Sequence, residues 1–172
     1  MSRAYVALGS NLGDRAGNLR AARAGLEVAA SGMRTSKMYR TAPVGGPAGQ
    51  RAFLNAVAEL DVTPPFADPH RLLELLLRIE HRQGRRRRVR WEARTLDLDL
   101  LSFKSVVLES ESLTLPHPRL LERPFVLVPL AEIAPDWRHP KTAERAADAL
   151  ARLDTSGVEA TCLPWHDAAG GR

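Results

Sequence analysis

Residues 68–84, DPHRLLELLLRIEHRQG, lie between two segments of a different periodicity, and that contrast limits the folds open to the chain. Asp68 followed by Pro69 is a helix start: an N-cap acceptor, then a residue whose fixed φ suits the first turn. Leu72, Leu73, Leu76 and Ile79 recur at helical spacing, and Gly84 marks a stop. FLNAVAELDV (53–62) before this helix and TLDLDLLSF (95–103) after it alternate with period two, as strands do. A helix bracketed by two strands needs a sheet to pack on.

The same contrast appears earlier. AYVALGS (4–10) reads as a buried strand ending at Gly9, and Leu19, Ala22, Leu26 and Ala29 mark a helix running on from Asp14. MRTSKMYRT (33–41) reads as a second strand, and APVGGPAGQRA (42–52), rich in glycine and proline, as a loop. The order βαββαβ predicts an α+β fold with a ferredoxin-like sheet and helices packed on it. VVLES (106–110) and LTLPH (113–117) predict a short hairpin or edge strands. RPFVLVPLAEIAP (123–135) and TAERAADALARL (142–153) predict extra C-terminal helices. The expectation is one domain over residues 1–165, with 166–172 a disordered tail.

The 172 residues are 44% hydrophobic and 26% charged, the balance of a globular protein with a sizeable core. One cysteine, Cys162, excludes an internal disulfide and suits a reducing compartment. MSRAYVALGSN reads as a first strand rather than a signal peptide, and no apolar run is long enough to span a membrane. A cytoplasmic protein is expected. The net charge is +5 and the sequence pI about 10.1. The basicity is local: residues 78–94 hold eight arginines against two glutamates, a net +6, which leaves −1 for the rest of the chain. Such a patch suits nucleic acid, a membrane surface or a compact polyphosphate.

Directly after the arginines come Asp97 and Asp99, on one face of a strand and roughly 7 Å apart. Like charges that close oppose folding. The pair is either a solvated outer face or a seat for something positive. Mg²⁺, a hard ion that takes carboxylate and phosphate oxygens, fits; two such ions would clamp a phosphoryl group in transfer. Arginine forks pair with phosphate oxygens, so segment and acids suit one ligand. GSNLGDR lacks the Lys-Ser/Thr of a P-loop and does not match G-x-G-x-x-G. The alternative from another class is a basic ferredoxin-like nucleic-acid-binding module, with arginines on phosphates and aromatics on bases.

RWEARTLDLDLL, with YRTAPV, FLNA and RIEHRQGR upstream and LTLPHPRLLERPFVLVPL downstream, resembles the 6-hydroxymethyl-7,8-dihydropterin pyrophosphokinase family of folate biosynthesis. The likeness runs from VALGSNLGDR to LAEIAP. It implies a ferredoxin-like α/β/α sandwich and transfer of the β,γ-pyrophosphoryl group of ATP to the pterin's hydroxymethyl oxygen, with AMP released. By the same resemblance, Asp97 and Asp99 are ligands of two Mg²⁺ ions, and Arg85 and Arg94 engage phosphates and help close the site. Glu80, Arg87, Trp91, Leu100, Thr114, His117 and Arg123 fall on the ATP side. Phe53 and Phe125 sandwich the pterin, Asn55 reads its polar edge, and Thr41, Pro43, Val44 and Trp91 complete its pocket. Arg86 and Arg88 are expected to be solvated. Glu92, Ser112 and Pro118 depart from the family pattern, and Phe53 stands where tyrosine is common. Small-molecule substrates and a monomer are implied.

Overall fold

The computed structural model describes residues 2–43, 49–84 and 95–166. The element order is β1 (Ser2–Ser10), α1 (Arg15–Leu26), β2 (Ala30–Thr35), β3 (Tyr39–Thr41), β4 (Phe53–Val62), α2 (Pro69–Arg82) and β5 (Asp97–Phe103), then β6 (Leu108–Glu109), β7 (Thr114–Leu115), α3 (Pro124–Ile133), α4 (Ala146–Leu150) and β8 (Val158–Ala160). The main sheet runs β5-β1-β4-β3-β8, with β2 also on β4, and its named pairings are antiparallel. This is the expected ferredoxin-like order, with the second strand split in two.

Helix ends follow the sequence signals. The Asp14 and Asp68 carboxylates accept from the amides of Gly17 and Arg71, each at 3.0 Å, and so satisfy first-turn donors. α2 ends just before Gly84, whose φ of +80° turns the chain where a side chain would be strained.

Apolar side chains split between the sheet's two faces. Val6, Leu8, Leu54, Leu60, Leu98 and Leu100 pack with Leu19, Leu26, Leu72 and Leu76 beneath α1 and α2. Tyr5, Val57 and Leu101 pack with Leu127, Leu130, Ala146 and Ala149 beneath α3 and α4. The result is three layers, α/β/α. A bulge opposite Tyr5 and Val6 inserts Leu101 between their partners Ser102 and Leu100, and Leu101 joins the α3-side core.

Three sequence expectations need correction. MRTSKMYRT is not one strand, because the Ser36 hydroxyl accepts from the Val57 amide at 3.0 Å and the chain leaves the ladder for Ser36–Met38. The last helix starts at Ala146, not Thr142: Ala143 adopts φ +57° in a turn closed by its amide on His139 O. β8 was not anticipated; it pairs with β3 through Tyr39–Thr41. The predicted hairpin forms as β6 and β7. Of the expected tail over 166–172, His166 is described and residues 167–172 lie outside the described residues. No helix among the described residues is long and apolar enough to cross a membrane.

Candidate active site

Antiparallel register lines up the polar residues of the α3-side face. Asn55 of β4 and Asp97 of β5 both lie opposite Gly9 of β1, and Tyr39 of β3 lies opposite Asn55. One step along, Thr41 faces Phe53. Toward α3, Asp99, Ala7 and Val57 form the next row, where the α3-side core begins. The two aspartates therefore stand at the end of the sheet face that the core leaves uncovered.

α3 closes this end. Arg123, just before the helix, places a guanidinium nitrogen 3.8 Å from Asp99 Oδ2 and its Cζ 5.7 Å from the centre of the Phe125 ring. The helix is tied to β3 at its far end, where the Tyr39 hydroxyl donates to Glu132 Oε2 at 2.7 Å and the Lys37 amide donates to the same carboxylate. These bonds anchor the C-terminal end of α3. The sequence did not single them out.

His117 follows β7. Its amide donates to Leu101 O at 2.8 Å, which seats the residue against β5. The Arg119 amide donates to His117 Nδ1 at 3.2 Å, so the neutral ring carries its proton on Nε2. Burial, then the Arg123 charge, push the imidazole down to about 4, against the opposing pull of Asp97. His117 is thus neutral at pH 7. The folded form holds fewer protons than the unfolded chain between pH 6.5 and about 4, so stability falls as the pH drops through that window. Screening at a part-exposed ring leaves the effect at about 2 kcal/mol. His117→Asn, which keeps an acceptor for the Arg119 amide, is expected to flatten the fall, as read by Tm from pH 7 to 4 without added divalent ions. An unchanged slope would assign the acid sensitivity elsewhere.

The other expected site residues divide. Asn55 is buried and its Nδ2 donates to Thr41 Oγ1 at 2.6 Å, so these two belong to one cluster. Pro43 follows β3, and Phe53 is half-buried at the start of β4. Glu80, expected on the ATP side, is 2% exposed on α2, and its Oε1 accepts from the Leu98 amide at 2.8 Å. Leu100 is a core residue at 3% exposure, which leaves its main chain for any ligand contact. Thr114 lies on β7, paired with Glu109. Val44, Arg85, Arg87, Trp91 and Arg94, with Arg86, Arg88 and Glu92, lie outside the described residues.

Gly9 is the contributor most easily overlooked. A Cβ there would stand 2.8 Å from Asn55 Oδ1, so only glycine lets the Asn55 amide lie over β1. Its signal was a glycine inside an apolar strand. Among the described residues no group of three or more His, Cys, Asp or Glu could hold a metal. The donor set at Asp97 and Asp99 is two carboxylates on one strand, which suits a hard ion completed by water and phosphate oxygens.

A three-layer α+β sandwich that gathers two carboxylates, an arginine and a neutral imidazole at one end of its sheet belongs to the class of enzymes acting on phosphorylated substrates. The chain belongs to the 7,8-dihydro-6-hydroxymethylpterin-pyrophosphokinase family, whose sequence profile matches residues 5–135. It is 46% identical over 165 residues to the 2-amino-4-hydroxy-6-hydroxymethyldihydropteridine pyrophosphokinase of Methylorubrum extorquens, covering 92% of this chain and 98% of that one. Identity to the Bacillus subtilis protein of the same name is 48% over 169 residues, covering 97% and 92%. Among solved structures, a triple-substituted Plasmodium falciparum HPPK-DHPS superposes with TM-score 0.70 over 88% of this chain. At 14% identity that likeness speaks for the fold alone, and this chain spans 43% of that longer protein.

Proposed function

We propose that the protein transfers the β,γ-pyrophosphoryl group of ATP to the hydroxymethyl oxygen of 6-hydroxymethyl-7,8-dihydropterin in folate biosynthesis. One observation carries the reading: Asn55 and Asp97 flank Gly9 on one sheet face, two strand spacings or roughly 10 Å apart. On this reading a heterocycle site at Asn55 and a phosphate site at Asp97 share one surface. The hydroxymethyl oxygen attacks the β-phosphorus, the bond from that phosphorus to the α,β-bridging oxygen breaks, AMP leaves with that oxygen, and the hydroxyl proton is released.

Asp97 and Asp99 would hold Mg²⁺, two ions by family resemblance, which when bound neutralises phosphate charge. Arg123 adds a fixed positive charge beside Asp99. His117 offers an Nε2–H donor without a charge, and Phe53, Phe125, Asn55 and Thr41 orient the pterin. Arg85, Arg87, Trp91 and Arg94 are assigned the phosphate and closing roles, Trp91 also touching the pterin beside Val44 and Pro43. Glu80, Leu100 and Thr114 complete the ATP side, Glu80 through the backbone it supports. No side chain is required as a general base, so catalysis is positioning plus charge stabilisation. The paired aspartates argue against a nucleic-acid module, since they would repel a phosphate backbone. A monomer of one domain over residues 1–165, in the cytoplasm, fits a chain with one exposed cysteine.

The product tests the reading: ATP, Mg²⁺ and the pterin alcohol should yield one AMP per pterin consumed, and ADP in its place would overturn it. Gly9→Ala probes the pterin half. The new methyl displaces the Asn55 amide, so pterin binding should weaken about tenfold, the loss of one good hydrogen bond, while an ATP analogue binds as before. Calorimetry on both ligands checks this.

A further inference from the structure

The Asn18 side chain is placed where it costs helix stability. It occupies the first full turn of α1, a position where alanine is a better helix former by several tenths of a kcal/mol. Its Nδ2 donates to Leu12 O at 3.0 Å, Ser10 Oγ at 3.1 Å and Thr95 O at 3.0 Å. Two of these acceptors are carbonyls, which fixes the amide with its nitrogen facing them. Ser10 ends β1 and is fully buried beside Gly9. Thr95 lies two residues before Asp97 and 77 residues from Asn18 in the chain. One amide therefore joins the end of β1 to the run-in of β5. On the other flank of Asp97, Glu80 holds the Leu98 amide at 2.8 Å. Among the described residues β5 is an edge strand paired with β1, so side chains supply what a second neighbouring strand would otherwise give.

We infer that Asn18 is a positioning residue for pyrophosphoryl transfer, a side-chain clamp that sets where Asp97 enters the site by holding Thr95 to the end of β1. The inference rests on the reading of Asp97 as a site residue. Asn18 touches no reacting atom, so its removal should lower turnover while leaving ground-state binding close to normal.

The test uses the full chain. Asn18→Ala removes the amide, and Asn18→Asp keeps its volume but not its donors. Hydrogen exchange of the ligand-free protein reads the clamp directly: the peptide spanning residues 95–103 should exchange faster in both variants, with the α3 peptide unchanged. In steady state, kcat should fall about tenfold, the scale of a sub-ångström misplacement, with KM for ATP and pterin within twofold of wild type. Unchanged exchange at 95–103 would overturn the clamp. So would faster exchange across the whole chain together with a normal kcat at a temperature where the variant is folded. Asp97→Asn serves as the control: normal turnover there would sink the reading of the aspartates, while the exchange result still judges the clamp.

Discussion

Replacing Asp97 or Asp99 by asparagine is expected to lower turnover about a thousandfold, near 4 kcal/mol of transition-state stabilisation, while Tm stays within a few degrees of wild type. The substitution keeps shape and removes charge and ligation. Both residues are half-buried on β5 at one end of the sheet face. The described ion pair of Asp99 is with Arg123 at 3.8 Å, and a part-exposed pair of that length contributes at most about 1 kcal/mol to folding. The same pair sets the order of effects: Asp99→Asn also removes the charge that faces Arg123, so ATP-analogue binding should change more there than in Asp97→Asn. Turnover and calorimetry with Mg²⁺ varied to saturation decide the matter. Near-normal kcat in both variants would remove the aspartates from the mechanism.

The fold was legible where periodicity was strong. β4 matches FLNAVAELDV residue for residue, and α2 begins at Pro69 as the Asp-Pro pair predicted, because alternation and capping are local properties of the chain. Failures came where a single side chain or a distant partner decided the outcome. Ser36 replaces a backbone acceptor with its own hydroxyl and breaks a strand that reads as continuous. β8 is three residues long and half-exposed, and exists because β3 offers an edge to it. Trp165 then fastens the segment that follows, its Nε1 donating to Ser36 O at 2.7 Å. Neither partner is visible from within the segment itself.

At the site, the pairing of Asp97 with Asp99 could be read from spacing, since residues two apart on a strand share a face. Their relation to Asn55 could not. It depends on the register of β1 against both neighbours, which makes Gly9 the common partner of Asn55 and Asp97. The backbone contact of Glu80 was hidden too: its carboxylate accepts from the Leu98 amide, 18 residues away in the chain. The clamp of Asn18 was equally hidden, because its partner Thr95 is 77 residues away.

Phe125→Ala is expected to weaken pterin binding by 30- to 100-fold, roughly 2–3 kcal/mol, from the stacking term and the apolar area of one lost ring face. The ring is half-buried at the first turn of α3 and packs against the α3-side core, so a loss of about 1–2 kcal/mol in stability should accompany the change. Arg123 complicates the result in an informative way. Its guanidinium lies 5.7 Å from the ring centre and 3.8 Å from Asp99, so truncating Phe125 also loosens the cation beside the acidic pair. A cation–π contact of about 1 kcal/mol limits that second effect to a few-fold in ATP-analogue binding. The two ligands should therefore differ by about tenfold or more in their loss. Phe125→Tyr keeps the ring and should restore pterin binding almost fully. Equal losses for pterin and nucleotide in Phe125→Ala, with no recovery in Phe125→Tyr, would make Phe125 a support for Arg123 and leave the pterin to be held by Phe53 and Asn55.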